Sequence, residues 1–218
     1  MSSAASMVRK SVVRKSVVRK SVVRKLTVVI AVGALSLVVS ACSTDANSIA
    51  AQAKSGDGKG FISGDGSIER VALDLRSAPL NLSGTTLEGT SWRVADAKDK
   101  VLVLNVWGTW CGPCVAESPH LQRVWSELSA AGKPVQFMGI NYRDSVETAA
   151  AFLRANKVTY PSLEDDGGRT LLALRGKANA TPTTLILDRR GRIAARVSGP
   201  VTVTILTGLV DDVLGESA

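Results

Sequence analysis

Hydrophobic and polar residues follow two different periods from residue 71 onward. Continuous apolar runs at 101–106 (VLVLNV) and 135–141 (VQFMGIN) are typical of strands that are buried on both faces of a sheet. Between these strands, apolar residues recur at the spacing of a helix: Leu121, Val124, Trp125 and Leu128. A second helix is predicted after the second strand, where Asp144 and Glu147 have the spacing of a capping pair.

The C-terminal part of the folded region predicts a short helix, a β-hairpin and a closing helix. The short helix lies around 170–175, and the hairpin strands TLIL (184–187) and IAARV (193–197) flank the turn signal DRRG. Residues 203–214 form an amphipathic pattern. Strands that alternate with helices indicate a parallel core, to which the hairpin adds an antiparallel edge. The predicted fold class is therefore α/β with a central mixed sheet, and residues 71–95 predict an added N-terminal hairpin.

The first 41 residues have the pattern of an export signal. Residues 8–25 are basic and valine-rich, with SVVRK repeated three times, and the apolar run 26–41 follows. This run is shorter than the roughly 20 residues of a membrane-spanning helix. A basic region, an apolar core and small residues before a boundary indicate a secretory signal. VSAC (39–42) resembles the bacterial lipobox, which implies that Cys42 is lipidated and becomes the mature N-terminus; the alternative is an uncleaved anchor with an incidental cysteine.

The basic excess of the chain lies in this signal. The chain has 27 Lys+Arg and 19 Asp+Glu, and eight of the bases fall in residues 1–41, so the mature chain has 19 of each. This balance removes the only support for nucleic-acid binding. The next residues are small and polar, including SGDGKG and SGDG, and they lack the twelve-residue ligand pattern of a calcium loop. We therefore predict a signal peptide (1–41), a flexible tether (42–66) and one folded domain (67–218).

The candidate chemistry lies where the first buried strand leads into Cys111 and Cys114, which are separated by Gly-Pro. A zinc site would need two more ligands, but the third cysteine is in the lipobox and the only histidine is His120. We interpret that histidine as a surface or packing residue. Covalent haem attachment needs a histidine directly after the second cysteine, where Val115 stands. We therefore predict no metal site and no haem.

A structural disulfide and a redox catalyst are the interpretations that remain for this pair. A structural disulfide would close a very small loop, so the unfolded chain would lose little entropy. Cys111 instead lies at a predicted helix N-terminus, where free N–H groups and the helix dipole favour the thiolate. An exposed thiol with a lowered pKa would be the attacking sulfur, and Cys114, one turn inside the helix, could resolve the mixed disulfide. The order of strand, turn, cysteine pair and helix indicates redox catalysis with no cofactor besides the disulfide itself.

With these residues in place, the chain resembles the thioredoxin-like proteins of the TlpA, ResA and DsbE/CcmG group. The resemblance runs from about Ala78 to Gly199 and rests on LNVWGTWCGPC, GINYRDS, VTYPSLEDDGG and ATPTTLILDRRGRI. It implies a thioredoxin-like three-layer α/β/α domain with an N-terminal hairpin and a central helix insertion. It also implies an extracytoplasmic thiol-disulfide oxidoreductase, held on the outer face of the bacterial cell membrane by lipidated Cys42.

The resemblance gives roles to residues around the cysteine pair. Pro182, preceded by Thr181, matches the cis-proline that faces the disulfide and whose neighbouring backbone pairs with a bound substrate. Trp110 would frame the disulfide beside the substrate, or belong to the core. Glu117 matches an acidic residue near the active site, and a buried carboxyl with a raised pKa could exchange the proton of Cys114. An exposed acid in the first helical turn is the alternative for Glu117.

The leading hypothesis is a lipid-anchored reductase of disulfides in exported proteins, including apocytochrome c before haem attachment. Its electrons would come from a membrane donor of the CcdA/DsbD type, as the resemblance implies. A disulfide-forming oxidase or isomerase with the same cysteines is the first alternative, and a non-catalytic binding module on a thioredoxin scaffold is the second. Gly112 and Pro113 match the dipeptide of reducing thioredoxins, but this dipeptide sets the potential only in part, so the direction of electron flow stays open.

Overall fold

The structure is a computed structural model that describes residues 64–164 and 167–216. The predicted signal peptide, Cys42 and the predicted tether up to residue 63 lie outside the described residues. All described residues belong to one compact unit. Of the helices in the described ranges, none has the length and apolarity that a membrane crossing requires.

Six strands form a central mixed sheet: β1 (Ser67–Arg70), β4 (Val101–Trp107), β5 (Val135–Asn141), β6 (Ser162–Leu163), β7 (Thr183–Leu187) and β8 (Ile193–Ser198). Their order is β1-β8-β7-β4-β5-β6. Strands β4, β5 and β6 pair in parallel, whereas β7 pairs antiparallel with β4, β8 antiparallel with β7 and β1 antiparallel with β8. The predicted parallel core and C-terminal hairpin are confirmed. The hairpin is not the edge of the sheet, however, because β1 pairs with β8.

Four α-helices and a 3-10 helix connect these strands: α1 (Gly112–Ala130), α2 (Val146–Ala155), α3 (Arg169–Ala173), α4 (Val203–Leu214) and the 3-10 helix Val94–Ala97. All four α-helices match predicted ones. The predicted capping pair of Asp144 and Glu147 is wrong, because Ser145 is the N-cap of α2. Its hydroxyl accepts a hydrogen bond from the Thr148 N–H at 3.2 Å, which leaves the carboxylate of Asp144 available for a different contact.

Side chains of β4 alternate between the two faces of the sheet, so each face has its own core. Val101 and Val103 belong to the first core, which also contains residues of α1 and α4: Leu121, Val124, Leu206, Leu209 and Val210. Leu102 and Leu104 belong to the second core, which the hairpin of β2 (Ser83–Thr85) and β3 (Ser91–Arg93), the 3-10 helix and α3 cover. The predicted three-layer architecture and the N-terminal hairpin within 71–95 are thereby confirmed.

The sheet brings three chain segments together at one end. Val106, near the end of β4, pairs with Thr183 at the start of β7, and Trp107 pairs with Asn141 at the end of β5. The loops that follow β4 and β5 and the loop that precedes β7 therefore meet at the same end. Cys111 lies in the first of these loops, so the candidate chemistry is at this end of the sheet.

Candidate active site

Cys111 and Cys114 form a disulfide at the N-terminus of α1, with an S–S distance of 2.06 Å. Cys111 is the N-cap, and its Sγ accepts a hydrogen bond from the Cys114 N–H at 3.3 Å. Gly112 and Pro113 form the start of the helix, where proline is tolerated because the first N–H groups have no partner within the helix. The helix start thus holds the disulfide where the sequence predicts it.

The expectation that Cys111 is exposed is wrong for the disulfide form. Cys111 is 0% exposed and Cys114 is 3% exposed, and both belong to an apolar cluster with Trp107. Gly112 is exposed and Pro113 is half-buried, so the dipeptide forms the surface beside the pair. A partner protein would therefore approach the sulfurs past this dipeptide.

The Thr181–Pro182 peptide bond is cis, as the resemblance implies. The Thr183 hydroxyl donates to the Ala180 carbonyl at 2.7 Å, and the Gly199 N–H donates to the Pro182 carbonyl at 2.9 Å. Thr181 and Pro182 are both buried. These contacts hold the loop before β7 at the same end of the sheet as the cysteine pair.

Glu117 is buried one turn beyond Cys114 on α1, and only 1% of it is exposed. The Asn105 side-chain amide donates to its Oε1 at 2.8 Å, and the Val201 N–H donates to its Oε2 at 2.9 Å. Burial raises the pKa of Glu117 from 4.5 to about 7, although both hydrogen bonds act to lower it. The alternative of an exposed helix-start acid is therefore wrong, and a carboxyl with this pKa can accept and release a proton near neutral pH.

Two tryptophans lie beside the pair in different environments. Trp107 is 5% exposed and clusters with both cysteines and with Ala149 and Leu153 of α2, so it is a core residue. Trp110 is half-buried, and its indole N–H donates to the Tyr142 carbonyl at 2.8 Å. The guanidinium of Arg143 lies 5.5 Å from the Trp110 ring centre, a cation–π distance. Trp110 therefore forms a rim next to Cys111.

Asp144, whose spacing predicts a helix cap, instead braces the loop before Cys111. Asp144 accepts hydrogen bonds from the Thr109 N–H at 2.8 Å, from the Thr109 hydroxyl at 2.5 Å and from the Asn141 amide at 2.8 Å. The position of Asp144 in the chain could have indicated this contact. Asn141 ends β5 beside the end of β4, and the loops that follow parallel strands meet at the same end of the sheet.

Asn105 is a second residue that the sequence analysis missed as part of the site. It is the single amide in the apolar run of β4 and is 2% exposed.

His120, interpreted as a surface or packing residue, is half-buried, with Nδ1 at 3.0 Å from the Val201 carbonyl oxygen. Within 64–164 and 167–216, no group of three or more His, Cys, Asp or Glu residues could hold a metal ion.

This geometry agrees with the chain's similarity to known proteins. Residues 76–196 match the AhpC/TSA family. A secreted thiol-disulfide isomerase from Corynebacterium glutamicum is 34% identical with a TM-score of 0.65, covering 72% of this chain and 97% of its own. The thiol:disulfide interchange protein HelX of Rhodobacter capsulatus is 32% identical over 125 residues, which cover 57% of this chain and 67% of HelX. The thiol-disulfide oxidoreductase ResA of Geobacillus kaustophilus is 27% identical over 134 residues, which cover 62% of this chain and 75% of ResA. The chain belongs to the AhpC/TSA family and is a thiol-disulfide oxidoreductase of the ResA/DsbE kind.

Proposed function

We propose that this protein is a membrane-anchored extracytoplasmic reductase of disulfides in exported proteins, with apocytochrome c among its substrates. The observation that carries the proposal is the buried Glu117 on the same helix as the Cys111–Cys114 pair. The N-terminus of α1 stabilises the Cys111 thiolate, which favours the reduced form and makes the pair more oxidising. A carboxylate close to the pair opposes this effect by like-charge repulsion and returns the pair toward reducing character.

The proposed reaction begins with the dithiol form. The Cys111 thiolate attacks a substrate disulfide R–S–S–R′, forms a mixed disulfide with R, and releases R′S⁻, which takes up a proton. Cys114 gives its thiol proton to the Glu117 carboxylate, and the resulting thiolate attacks the Cys111 sulfur. The Cys111–Cys114 disulfide forms and RS⁻ leaves as a thiol after protonation. Two electrons have then passed from the cysteine pair to the substrate.

Substrate binding is assigned to the residues that surround the pair. The backbone of Thr181, before Pro182, would hydrogen-bond an extended substrate segment, as the resemblance implies. Trp110 would contact the side chains next to the substrate cysteine, because its ring is partly exposed beside Cys111. In this arrangement, the substrate sulfur reaches Cys111 between that ring and the exposed Gly112.

The proposed location and electron supply rest on the N-terminal sequence. A signal peptide (1–41) would direct export, lipidated Cys42 would anchor the chain to the outer face of the membrane, and residues 42–66 would connect the anchor to the domain 67–218. A membrane protein of the CcdA/DsbD type would reduce the disulfide again. The secreted isomerase of Corynebacterium glutamicum supports an extracytoplasmic location.

An isomerase or oxidase is the second candidate, because that protein is named an isomerase and is 34% identical to this chain. The reduction potential of the Cys111–Cys114 pair separates the two functions. We expect a value nearer the roughly −270 mV of thioredoxin than the roughly −120 mV of DsbA, measured by equilibration in thiol redox buffers. A value near that of DsbA would reject the reductase and support the oxidase.

The roles of the two cysteines are tested separately by trapping. Cys114→Ser should accumulate mixed disulfides with exported proteins, because the resolving sulfur is absent, and mass spectrometry of the trapped species would identify the substrates. Cys111→Ser is the matched control and should trap none. The reverse pattern would exchange the two roles.

A further inference from the structure

Asn105 occupies a position where an amide is unfavourable unless it is hydrogen-bonded. It lies in the middle of β4 between Leu104 and Val106, and 2% of it is exposed. Its Nδ2 donates to Glu117 Oε1 at 2.8 Å and to the Thr184 hydroxyl oxygen at 3.2 Å. The amide thus connects the central strand, the neighbouring strand β7 and the active-site helix through one nitrogen.

The second oxygen of the Glu117 carboxyl is held by the backbone of another chain segment. The Val201 N–H donates to Oε2 at 2.9 Å, and the carbonyl of the same residue lies 3.0 Å from His120 Nδ1. Both oxygens therefore have a donor. No ion pair within 64–164 and 167–216 involves Glu117, so Asn105 is the side chain that offsets the negative charge of this carboxylate.

Among the residues that the structure describes, few titratable groups lie near the Glu117 carboxyl. Tyr160 is one, and its pKa is raised by burial and then by the charge of Glu117. His120 is separated from the carboxyl by the Val201 peptide, and Cys114 lies one turn away on α1. In the oxidised protein Cys114 does not titrate, so the Asn105 contact can be measured there without interference from the thiols.

We propose that Asn105 is a positioning residue that controls proton transfer between Cys114 and Glu117. Its Nδ2 holds the ionised carboxylate, and its Oδ1, after the amide turns over, accepts the proton of the neutral carboxyl. One amide thereby serves both protonation states while Val201 stays on Oε2. The proton balance is that of the proposed mechanism: the Cys114 thiol becomes a thiolate and the Glu117 carboxylate becomes a carboxylic acid. This inference rests on the proposed role of Glu117.

The experiment compares Asn105→Leu with Thr184→Val in the full chain. Leucine removes the amide but keeps a similar volume, whereas valine removes the other partner of Asn105 and leaves Glu117 untouched. The first measurement is the titration midpoint of the Glu117 carboxyl in the oxidised protein, by NMR of ¹³C-labelled glutamate. Asn105→Leu should raise the midpoint by about one pH unit, a roughly tenfold shift, because the hydrogen bond lost from the charged carboxylate is stronger than the one lost from the neutral carboxyl. Thr184→Val should move the midpoint by no more than a few tenths of a unit.

The second measurement is the rate at which Cys114 resolves a mixed disulfide on Cys111, as a function of pH. Near pH 6, Asn105→Leu should slow resolution up to about tenfold, because fewer Glu117 carboxylates are ionised in the variant. At higher pH the carboxylate is ionised in both proteins, so the two rates should become equal. In a Glu117→Gln background, Asn105→Leu should cause no further change in the pH profile. Asn105→Val, which suits a strand and has no donor, replaces the leucine variant if that variant unfolds, and the same upward shift is expected.

The outcomes separate this inference from the proposed function. A titration midpoint that stays in place in Asn105→Leu overturns the positioning role. So does a change in the pH profile that Asn105→Leu causes equally in the wild type and in the Glu117→Gln background. If Glu117→Gln itself leaves the pH profile unchanged, the proposed role of Glu117 fails. If Glu117→Gln changes the profile while Asn105→Leu does not, only the role of Asn105 fails.

Discussion

Replacing Glu117 with glutamine should remove a pH-dependent loss of stability. Burial raises the pKa of Glu117 from 4.5 to about 7 in the folded protein, whereas the unfolded chain keeps the ordinary value. Between these pH values the unfolded state releases a proton that the folded state retains, so the free energy of unfolding falls as the pH rises. The loss is absent below pH 4.5 and complete above about pH 7.

The size of this loss follows from the difference in pKa. One pKa unit corresponds to about 1.4 kcal/mol, so a rise from 4.5 to about 7 corresponds to a loss of about 3 kcal/mol. A glutamine at this position is neutral at every pH. Its oxygen can accept from the Val201 N–H, and its NH₂ group can donate to Asn105 after that amide turns over. The variant should therefore keep the packing of the site without the titration.

The assay is urea unfolding of the oxidised wild type and Glu117→Gln at several values between pH 4.5 and 7.5. The difference between the two unfolding free energies is the quantity to follow, because contributions from other groups cancel in it. We expect this difference to change by about 3 kcal/mol across the series, in favour of the variant at high pH. A difference that stays constant within about 0.5 kcal/mol would mean that Glu117 titrates normally in the fold, and the reasoning from burial would be refuted.

Gly139→Ala should lower the free energy of unfolding by about 2 kcal/mol or more, because a Cβ there would lie 2.7 Å from Trp107 Nε1. Gly208→Ala, on α4 with nothing within 4 Å of the added Cβ, is the control and should raise it by about 0.5–1 kcal/mol in the same urea assay; equal effects would contradict the packing argument. Cys42→Ala should release the chain from membranes or leave its precursor unprocessed in a fractionation assay, and labelled lipid that still attaches to the variant would disprove lipidation at this residue.

Local pattern was sufficient for the elements that determine the fold class. The runs 101–106 and 135–141 predicted β4 and β5 because strands covered on both faces are apolar at most positions rather than at alternate ones. The strand-to-helix turn with Cys111 and Cys114 was also readable, because the helix start and the spacing of the pair are local features. Strand β1 was not predicted, since it has four residues, three of them exposed, and carries no apolar alternation.

The tertiary structure decided the contacts that give the site residues their chemical properties. Asn105 and Val201 lie 12 and 84 residues from Glu117 in the chain, and the order of strands brings them to one carboxyl. Asp144 has the spacing of a helix cap, but the meeting of two loops makes Thr109, 35 residues away, its partner. Sequence periodicity reports whether a side chain is buried and in which kind of element, whereas the partner of a buried polar group depends on sheet order and register. The cysteine pair and Glu117 were therefore readable from the chain, whereas the hydrogen-bond partners of Glu117 and the places of Asn105 and Asp144 in the site were not.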